Sequence, residues 1–298
     1  MELSAVRGRL CLARFAVTGA GVRARLIRAT FNAASAQFDA EPLFFWRHCG
    51  TRTVELAGVG PGDRVLDACC GTGASAIPAA RLAGPSGRVV GIDLAERQLD
   101  RARDKASSRG LGNIEFRQGD LTALELAGET YDVVVCVLGV YFAEDVPAAL
   151  AGLWRAVRPG GTLAITTWGR RRLAPAGPAF LDLVGEERPD LRQQPGELER
   201  ISTPSALRSA FAAGGVPRPV VDEETVTVRM TPDEFWTVVL GTGYRLLVEL
   251  LGPAASERVR LALREKVGGG EIACDFLFAR AVRPGPRARR RSMPGPAR

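Results

Sequence analysis

The sequence has little histidine and little lysine. His48 is its only histidine, and Lys105 and Lys266 are the only lysines among forty basic residues in a chain of 298. Structural zinc sites need about four ligands at suitable spacing. The adjacent pair Cys69-Cys70 has no second cluster to complete such a set, and adjacent cysteines cannot readily bridge each other. The sequence therefore predicts neither a metal site nor a redox pair.

Other absences bear on where the protein works. The six cysteines, at positions 11, 49, 69, 70, 136 and 274, show no disulfide framework. No stretch approaches the roughly 18 uncharged apolar residues of a membrane span. The arginines scattered near the N-terminus are also unlike a cleavable secretory signal. These absences predict a cytoplasmic protein, and a hydrophobic content of 46% predicts a sizeable core.

The net charge of +7 is unevenly placed along the chain. Residues 1–28 and 283–298 each hold six arginines, and Glu2 is the only acid in either segment. The body between them is therefore mildly acidic, which argues against nucleic acid as a partner because nucleic-acid binding favours a basic folded domain. The basic termini are interpreted as solvated, with a peripheral contact to membrane or nucleic-acid phosphates as the alternative.

Apolar strands and helical segments alternate through the middle of the chain. Strands are predicted at 64–68, 88–92, 114–118, 132–137, 161–167, 220–230 and 272–282. Helices are predicted at 73–82, 96–109, 147–157, 204–213, 231–250 and 254–267. Most of the strands are continuous apolar runs, which is typical of parallel strands buried on both faces. The alternation predicts an α/β fold: a doubly wound, seven-stranded Rossmann-like sheet with helices on both faces.

The remaining regions complete the predicted organisation. Residues 1–30 are interpreted as a basic extension, either loosely ordered or a helix broken near Gly19 and Gly21. The body, 31–282, divides into a first half at 55–168 and a second half at 169–282, whose helical insertions are expected to form a substrate cap. The Pro- and Arg-rich residues 283–298 are predicted to be disordered.

The stretch VLDACCGTGASA, residues 65–76, carries the main chemical signal. A strand followed by a glycine turn at 71–73 and a helix aims backbone N–H groups at a ligand. Asp93 ends the next strand, where a carboxylate can accept hydrogen bonds from both ribose hydroxyls. The looser nicotinamide pattern G-x-G-x-x-A fits in part, but the Asp67 carboxylate would repel a pyrophosphate. The same carboxylate suits a ligand whose near end carries an ammonium and a sulfonium.

Five ordered segments extend this signal: VLDACCGTG, GRVVGIDLAERQLDRAR, NIEFRQGD, YDVVVCVLGVYF and LWRAVRPGGTLAITTW. Together they resemble the successive motifs of class I S-adenosylmethionine-dependent methyltransferases. Their order and spacing are similar to the ubiquinone/menaquinone-biosynthesis type (methyltransferase type 11-like) branch. The resemblance covers roughly residues 55–168. It departs from the family at Cys69, where glycine is usual.

The resemblance implies that S-adenosyl-L-methionine is the cofactor and assigns its contacts residue by residue. The methionine end would be held by Asp67, Gly71 and Gly73, and the ribose hydroxyls by Asp93. Leu94, Asp120 and Leu121 would meet the adenine, and Val137 and Leu138 would border the methionine moiety and the transferred methyl.

Residues outside these motifs are candidates for acceptor binding and proton transfer. His48 and Tyr141 are the candidate catalytic residues, with a structural role as the alternative. Arg170, Arg171 and Arg172 are interpreted as a solvated loop, with a clamp for an acidic substrate as the alternative. Aromatic candidates for the substrate site, for which ordinary packing is the alternative, are Phe38, Trp46, Tyr141, Phe142, Trp236 and Tyr244.

The sequence thus predicts methyl transfer to an apolar or aromatic small molecule by in-line displacement. Quinone precursors, secondary metabolites and lipid-like compounds all fit as acceptors, and O- and C-methylation stay equally open. Two other classes stay open as well: a nicotinamide-dependent oxidoreductase, and a non-catalytic binding module that keeps the methyltransferase fold. A nucleic-acid methyltransferase is disfavoured by the acidic body and by VLGVYF, which stands where an N/D-P-P-Y/F motif would follow the fourth strand.

Overall fold

A computed structural model of the chain describes residues 20–124, 130–192 and 196–285. Within them seven strands form one sheet: β1 (Arg64–Ala68), β2 (Arg88–Asp93), β3 (Ile114–Gln118), β4 (Tyr131–Val137), β5 (Val157–Trp168), β6 (Val220–Met230) and β7 (Gly270–Val282). Their order across the sheet is β3-β2-β1-β4-β5-β7-β6. The first five strands pair in parallel, whereas β7 runs antiparallel to both β5 and β6. The predicted doubly wound α/β fold is confirmed.

Helices cover both faces of the sheet and extend beyond one end of it. The longer ones are α1 (Ala20–Ala34), α2 (Phe44–Ala57), α3 (Ala76–Ala83), α4 (Glu96–Ser107), α5 (Val146–Ala156), α6 (Ala176–Glu187), α8 (Pro204–Ala213), α9 (Pro232–Leu240), α10 (Arg245–Leu251) and α11 (Pro253–Val267); a single turn, α7, covers Glu197–Arg200. Helices α3 and α4 share one core cluster with the sheet, and α5 and α8 share another. A third cluster joins α2, α6 and α9–α11.

The predicted boundary at residue 30 falls inside α1. The helix runs unbroken from Ala20 to Ala34 and buries Thr30 and Ala34. Residues 21–30 therefore belong to the folded body, and Gly21 lies within the helix without breaking it. Residues 1–19 and 286–298, on which the rest of the two terminal predictions falls, lie outside the described residues.

The predicted late helix at 231–250 is two helices, α9 and α10. Its start is confirmed: the Thr231 hydroxyl accepts from the Glu234 N–H, and the Glu234 carboxylate accepts from the Thr231 N–H. Residues 241–243, Gly-Thr-Gly, separate the two helices. A Cβ on Gly241 would lie 2.6 Å from Leu43 Cδ2, so close packing against a distant segment requires glycine at the break.

The predicted helix at 73–82 begins later, at Ala76. This places Pro78 in the first turn of α3, where its missing N–H has no intrahelical partner to lose. Pro78 is therefore compatible with the start of the helix. Among the described residues, no helix has both the length and the apolar character needed to span a bilayer.

Candidate functional site

The sheet order reverses between β1 and β4, since β2 and β3 lie on one side of this pair and β5 on the other. In open α/β sheets, ligands bind beyond the carboxyl ends of the strands at such a point. A cavity, here called the switch-point cavity, lies there. Its lining comes from the ends of β1, β2 and β4, from the segment after β3 and from α1, and it includes Arg23, Ile27, Phe31, Phe38, Trp46, Cys69, Gly71, Ser75, Asp93, Leu94, Asp120, Leu121, Val137, Leu138 and Phe142.

The glycine turn after β1 is bonded directly to the end of β2. Gly71 has φ +52° and Gly73 has φ +85°, values in the left-handed region that glycine adopts without a Cβ clash. The Gly71 N–H donates to Asp93 Oδ2 at 2.9 Å. Gly71 lines the cavity, whereas a Cβ on Gly73 would face Ile77 at 3.1 Å. Gly73 is not among the residues that line this cavity; its positive φ shapes the turn, and its contact with the cofactor stays a prediction.

Asp93 presents a half-buried carboxylate to the cavity. Its Oδ1 accepts from the Ala95 N–H at 2.9 Å, and its Oδ2 accepts from Gly71. Burial raises the pKa of Asp93, although these backbone hydrogen bonds act in the opposite direction. Each oxygen keeps a second lone pair. The carboxylate is thus fixed in orientation and can still accept hydrogen bonds from a pair of ligand hydroxyls.

Asp67 lies behind the cavity wall rather than in it. The residue is fully buried, and its Oδ2 accepts from the Ser75 hydroxyl at 2.6 Å. Ser75 itself lines the cavity. Oδ1 of Asp67 is buried without a hydrogen bond of good geometry among the described residues, although the backbone N–H of Ala76 lies close to this carboxylate. Burial raises the pKa of Asp67 to about 7, so the site holds a carboxyl group that a nearby cation would ionise.

The other residues of the predicted cofactor set, Leu94, Asp120, Leu121, Val137 and Leu138, all line the switch-point cavity. Asp120 Oδ1 accepts from the N–H of Thr122 at 2.8 Å and from its hydroxyl at 2.7 Å. This caps the short 3₁₀ helix Leu121–Ala123 and fixes the position of the Leu121 backbone. Seven of the nine cofactor candidates predicted from the sequence line this one cavity, and Asp67 and Gly73 lie behind it.

The two adjacent cysteines point in different directions. The side chain of Cys69 packs on Gly139 beside Cys136, and Cys70 packs on Gly91. The neighbouring thiol of Cys136 and burial raise the pKa of Cys69, and burial raises that of Cys70, so both remain thiols. No group of three metal-ligating side chains occurs in the part of the chain that the structure describes. Small thiol side chains, one in the cavity wall and one in the core, account for this pair.

A second cavity, here called the cap cavity, adjoins the first. The two share Arg23, Ile27, Phe31, Trp46 and Phe142 as lining residues. The rest of the cap cavity is mostly apolar and aromatic, and it includes Tyr141, Trp168, Arg172, Leu173, Leu198, Glu199, Thr242, Tyr244 and Leu247.

The structure separates the six aromatic candidates. Trp46, Tyr141, Phe142 and Tyr244 line the cap cavity, and Phe38 lines the switch-point cavity, stacked on Trp46 with ring centroids 4.5 Å apart. Trp236 lines neither cavity. It packs edge-on against Phe180, with ring centroids 6.2 Å apart.

The two candidate bases are not suited to that role. His48 lines neither cavity: its ring packs against Phe276 and Phe278, and its Nε2 lies 3.9 Å from Glu224. Tyr141 does line the cap cavity, and its hydroxyl accepts from Trp168 Nε1 at 3.2 Å. Burial raises the pKa of Tyr141 further above neutrality, so this side chain stays a protonated donor.

Sequence reasoning missed the residues that α1 brings to the site, and it named Arg172 only within the alternative interpretation of the three arginines. Arg23, Ile27 and Phe31 follow one another at intervals of four, which places them on one helix face. This spacing is visible in the sequence and indicates one face of a helix, but the basic character of the segment obscured it. Ser75 was also missed, although it lies within the glycine motif.

The sheet order with its antiparallel β7 is that of the class I S-adenosylmethionine-dependent methyltransferase fold, and the buried acid behind the glycine turn and the acid ending β2 lie where the sequence resemblance predicted them. Residues 65–161 match the family described as a methyltransferase domain. The match confirms the resemblance of this segment to S-adenosylmethionine-dependent methyltransferases, and curated relatives of the ubiquinone/menaquinone-biosynthesis type are similar to the same part of the chain.

Two curated relatives illustrate the match. Nocamycin O-methyltransferase from Saccharothrix syringae is 35% identical over 136 residues, which is 46% of this chain and 49% of the relative. The ubiquinone/menaquinone biosynthesis C-methyltransferase of Teredinibacter turnerae is 39% identical over 119 residues, 40% of this chain and 48% of the relative. The chain spans about half the length of the curated relatives it matches.

Solved structures extend the similarity of fold over more of the chain. The YcgJ protein from Bacillus subtilis aligns with a TM-score of 0.53 at 17% identity and covers 80% of this chain and 99% of its own. A protein described as the [4+2]-cyclase SpnF aligns with a TM-score of 0.51 at 20% identity and covers 88% and 93%. At these identities the similarity concerns the fold, and the reaction must be argued from the site.

Proposed function

We propose that this protein transfers a methyl group from S-adenosylmethionine, bound in the switch-point cavity, to an apolar or aromatic small molecule bound in the cap cavity. The observation that carries the proposal is the joining of the two cavities through shared lining residues of α1, α2 and the segment after β4. A methyl donor in one cavity and an acceptor in the other would meet at this junction.

The chemistry of the switch-point cavity fits the cofactor. Asp93 would accept hydrogen bonds from the ribose hydroxyls, and the apolar Leu94 and Leu121 would flank the adenine. Asp67 Oδ1, buried without a hydrogen bond of good geometry, supports a cation near the glycine turn, and a pyrophosphate there would face an added negative charge. This sign of charge is the argument against the nicotinamide alternative.

Bound S-adenosylmethionine supplies a methyl carbon that its sulfonium makes electrophilic, and a neutral thioether as leaving group. The protein's role is to hold the acceptor in line with that carbon and to exclude water. Holding the acceptor in line is a proximity effect worth about 7–11 kcal/mol at best. A base is needed only for a nucleophile that is still protonated. This suits a cap cavity whose Tyr141 stays protonated.

The acceptor class follows from the cap cavity. Phe31, Trp46, Phe142 and Trp168 give it aromatic walls, and leucines fill much of the remainder. Such walls favour an acceptor with an aromatic or extended apolar body. The named relatives include an O- and a C-methyltransferase. Because the cofactor residues do not contact the acceptor atom, the proposal covers both.

The first test is binding of S-adenosylhomocysteine by calorimetry. Asp93→Ala should weaken binding about tenfold or more, which corresponds to about 1.4 kcal/mol. The matched control is Asp100→Ala, an exposed carboxylate on α4 that pairs with Arg103 and should bind like the wild type. Absence of any binding to the wild-type protein would contradict the proposal.

The second test identifies the acceptor. Purified protein is incubated with a methyl-labelled donor and fractionated cell extract, and the labelled product is characterised by mass spectrometry. Label should appear in an apolar or aromatic compound of low molecular mass. Donor binding without label in any fraction would favour a non-catalytic role instead.

A further inference from the structure

Three consecutive arginines follow β5 and point in three different ways. Arg170 is exposed to solvent. Arg171 turns back to the sheet, where its guanidinium pairs with the buried carboxylate of Asp275 at 2.9 Å and bonds to Thr225. Arg172 lines the cap cavity. The sequence alone grouped them as one solvated loop, and the structure overturns that interpretation for Arg172.

Backbone bonds on both sides of Arg172 hold it in this direction. The N–H of Asp275 donates to the Arg171 carbonyl at 2.8 Å, and the N–H of Ala174 donates to the Ala273 carbonyl at 2.9 Å. The Arg171 N–H also donates to the Asp275 carboxylate at 3.0 Å. Because the flanking residues are bonded to β7, the side chain of Arg172 is pre-positioned before any ligand arrives.

The guanidinium of Arg172 has hydrogen-bond donors to spare. It lies over the ring of Tyr244, 5.7 Å from the centroid, and its Nη2 is 3.4 Å from Glu199 Oε1. Glu199 lies on the single turn α7, its side chain is 47% exposed, and its other oxygen accepts from the Gly196 N–H. A guanidinium carries five N–H groups and stays charged at all relevant pH values. Among the described residues its polar contacts are this long one to a solvated carboxylate and the approach of the Tyr244 hydroxyl, which leave other N–H groups of the guanidinium for a ligand.

The other polar groups in the wall of the cap cavity are also mostly donors. Nε1 of Trp46 is buried without a partner, and the buried Tyr244 hydroxyl lies near Arg172 without a hydrogen bond of good geometry. The Tyr141 oxygen already accepts from Trp168, which leaves its own hydrogen to donate. The second cation, Arg23, donates to the Phe142 carbonyl. Against these donors, Glu199 is the only anion lining the cap cavity among the described residues.

We propose that Arg172 is a specificity-determining residue that selects an acceptor with an acidic oxygen, either a carboxylate or an ionised phenol or enol, attached to its apolar body. This inference rests on the proposed function and names the substrate class of the same site. A charge-assisted hydrogen bond inside an apolar wall is strong and directional. This hydrogen bond would determine which end of an otherwise apolar acceptor enters the cap cavity first.

The test compares matched pairs of probes by calorimetry, with the protein saturated with S-adenosylhomocysteine. One pair is 2-naphthoate and its methyl ester; the other is ionised 4-nitro-1-naphthol and its methyl ether. Wild-type protein should bind at least one acidic member about tenfold or more tightly than its neutral partner. The pair that shows the larger preference distinguishes a carboxylate from a phenolate as the recognised group.

Variants then assign this preference to Arg172. Arg172→Met should abolish it while leaving binding of the neutral probes within about threefold, and Arg172→Lys should retain part of it because the charge remains. The matched control is Arg170→Met, an exposed neighbour that should behave like the wild type. Glu199→Gln keeps the cap of α7 and removes the competing anion, so it should strengthen binding of the acidic probes.

Two results would overturn the inference: equal binding of acidic and neutral probes by the wild type, or an equal loss for both in Arg172→Met, which would indicate a packing role. Binding of S-adenosylhomocysteine is measured in every variant. If the wild type does not bind S-adenosylhomocysteine, the proposed function is wrong. If it binds S-adenosylhomocysteine but does not discriminate between acidic and neutral probes, this inference alone is wrong.

Discussion

Asp67 shows how a single residue can be tuned by its surroundings. The carboxyl group is fully buried, receives one side-chain hydrogen bond from Ser75, and has one oxygen without a hydrogen bond of good geometry. Burial raises its pKa to about 7. Since the pKa in the folded protein exceeds the value of about 3.9 in an unfolded chain, the proton stabilises the ligand-free fold. A cationic ligand reverses this preference and favours the ionised form.

The corresponding prediction concerns Asp67→Asn without ligand. The stabilising effect of the wild-type carboxyl group is fully present below about pH 4 and is lost as the pH rises through about 7, up to about 4 kcal/mol in total. The amide does not titrate. The stability of the wild type relative to the variant should therefore fall between pH 4 and pH 8, as measured by urea unfolding at several pH values. Parallel pH curves for the two proteins would contradict this account.

The backbone conformation and packing at Cys69 show how this position accommodates a residue other than the glycine that is usual in the family. Cys69 has φ +64°, a left-handed conformation that residues other than glycine adopt at a cost of about 1–2 kcal/mol. Its side chain is accommodated because Gly139 and Cys136 leave space for a small group. Cysteine is tolerated at this position because its side chain is small and not β-branched.

At the scale of elements, α2 is the support of the glycine turn. Gly50, in the middle of this helix, packs directly on the backbone after the turn: a Cβ there would lie 2.6 Å from the carbonyl carbon of Ala74 and 2.9 Å from the Ser75 nitrogen. Backbone cannot give way as a flexible side chain can. The helix and the cofactor turn therefore form one packed unit.

The prediction is that Gly50→Ala destabilises the protein by about 1–3 kcal/mol and weakens S-adenosylhomocysteine binding, because α2 must move off the turn. Chemical unfolding and calorimetry measure the two effects. The control is Gly152→Ala in α5, where the added Cβ meets only the end of the Arg155 side chain at 3.7 Å. This control should be neutral or stabilising by up to about 1 kcal/mol, since alanine favours a helix over glycine. Similar losses in both variants would refute the packing argument.

The strands were the elements best predicted from sequence. The bounds of β1, β3 and β6 agree with the prediction at both ends, because apolar runs bounded by turn residues are a local signal. The late helix was predicted less well: the 231–250 segment reads as continuous, and its break at Gly241 depends on Leu43, some 200 residues earlier. Helix α1 was predicted only as one of two alternatives for residues 1–30, and the structure extends it to Ala34.

At the scale of the whole molecule, ligand binding should be visible as stability. S-adenosylhomocysteine at about 100 times its Kd should stabilise the fold by about 2.7 kcal/mol, which raises Tm by roughly 5–10 °C for a domain of this size. NADH at the same concentration should give no comparable shift, because the charge around Asp67 opposes a pyrophosphate. A larger shift with NADH would favour the oxidoreductase alternative.

The sequence by itself determined the strand–turn–helix unit at residues 64–83, the acid at the end of β2 and the order of the motifs, because these depend on short-range spacing. Only the tertiary structure decided which distant side chains meet. It placed α1 over the cavities, moved His48 and Trp236 away from them, and sent Arg171 and Arg172 in opposite directions. The reason is physical: neighbours in sequence share a local conformation, but the direction of each side chain is set by the partners that packing provides, here Asp275 for one arginine and an apolar cavity for the other.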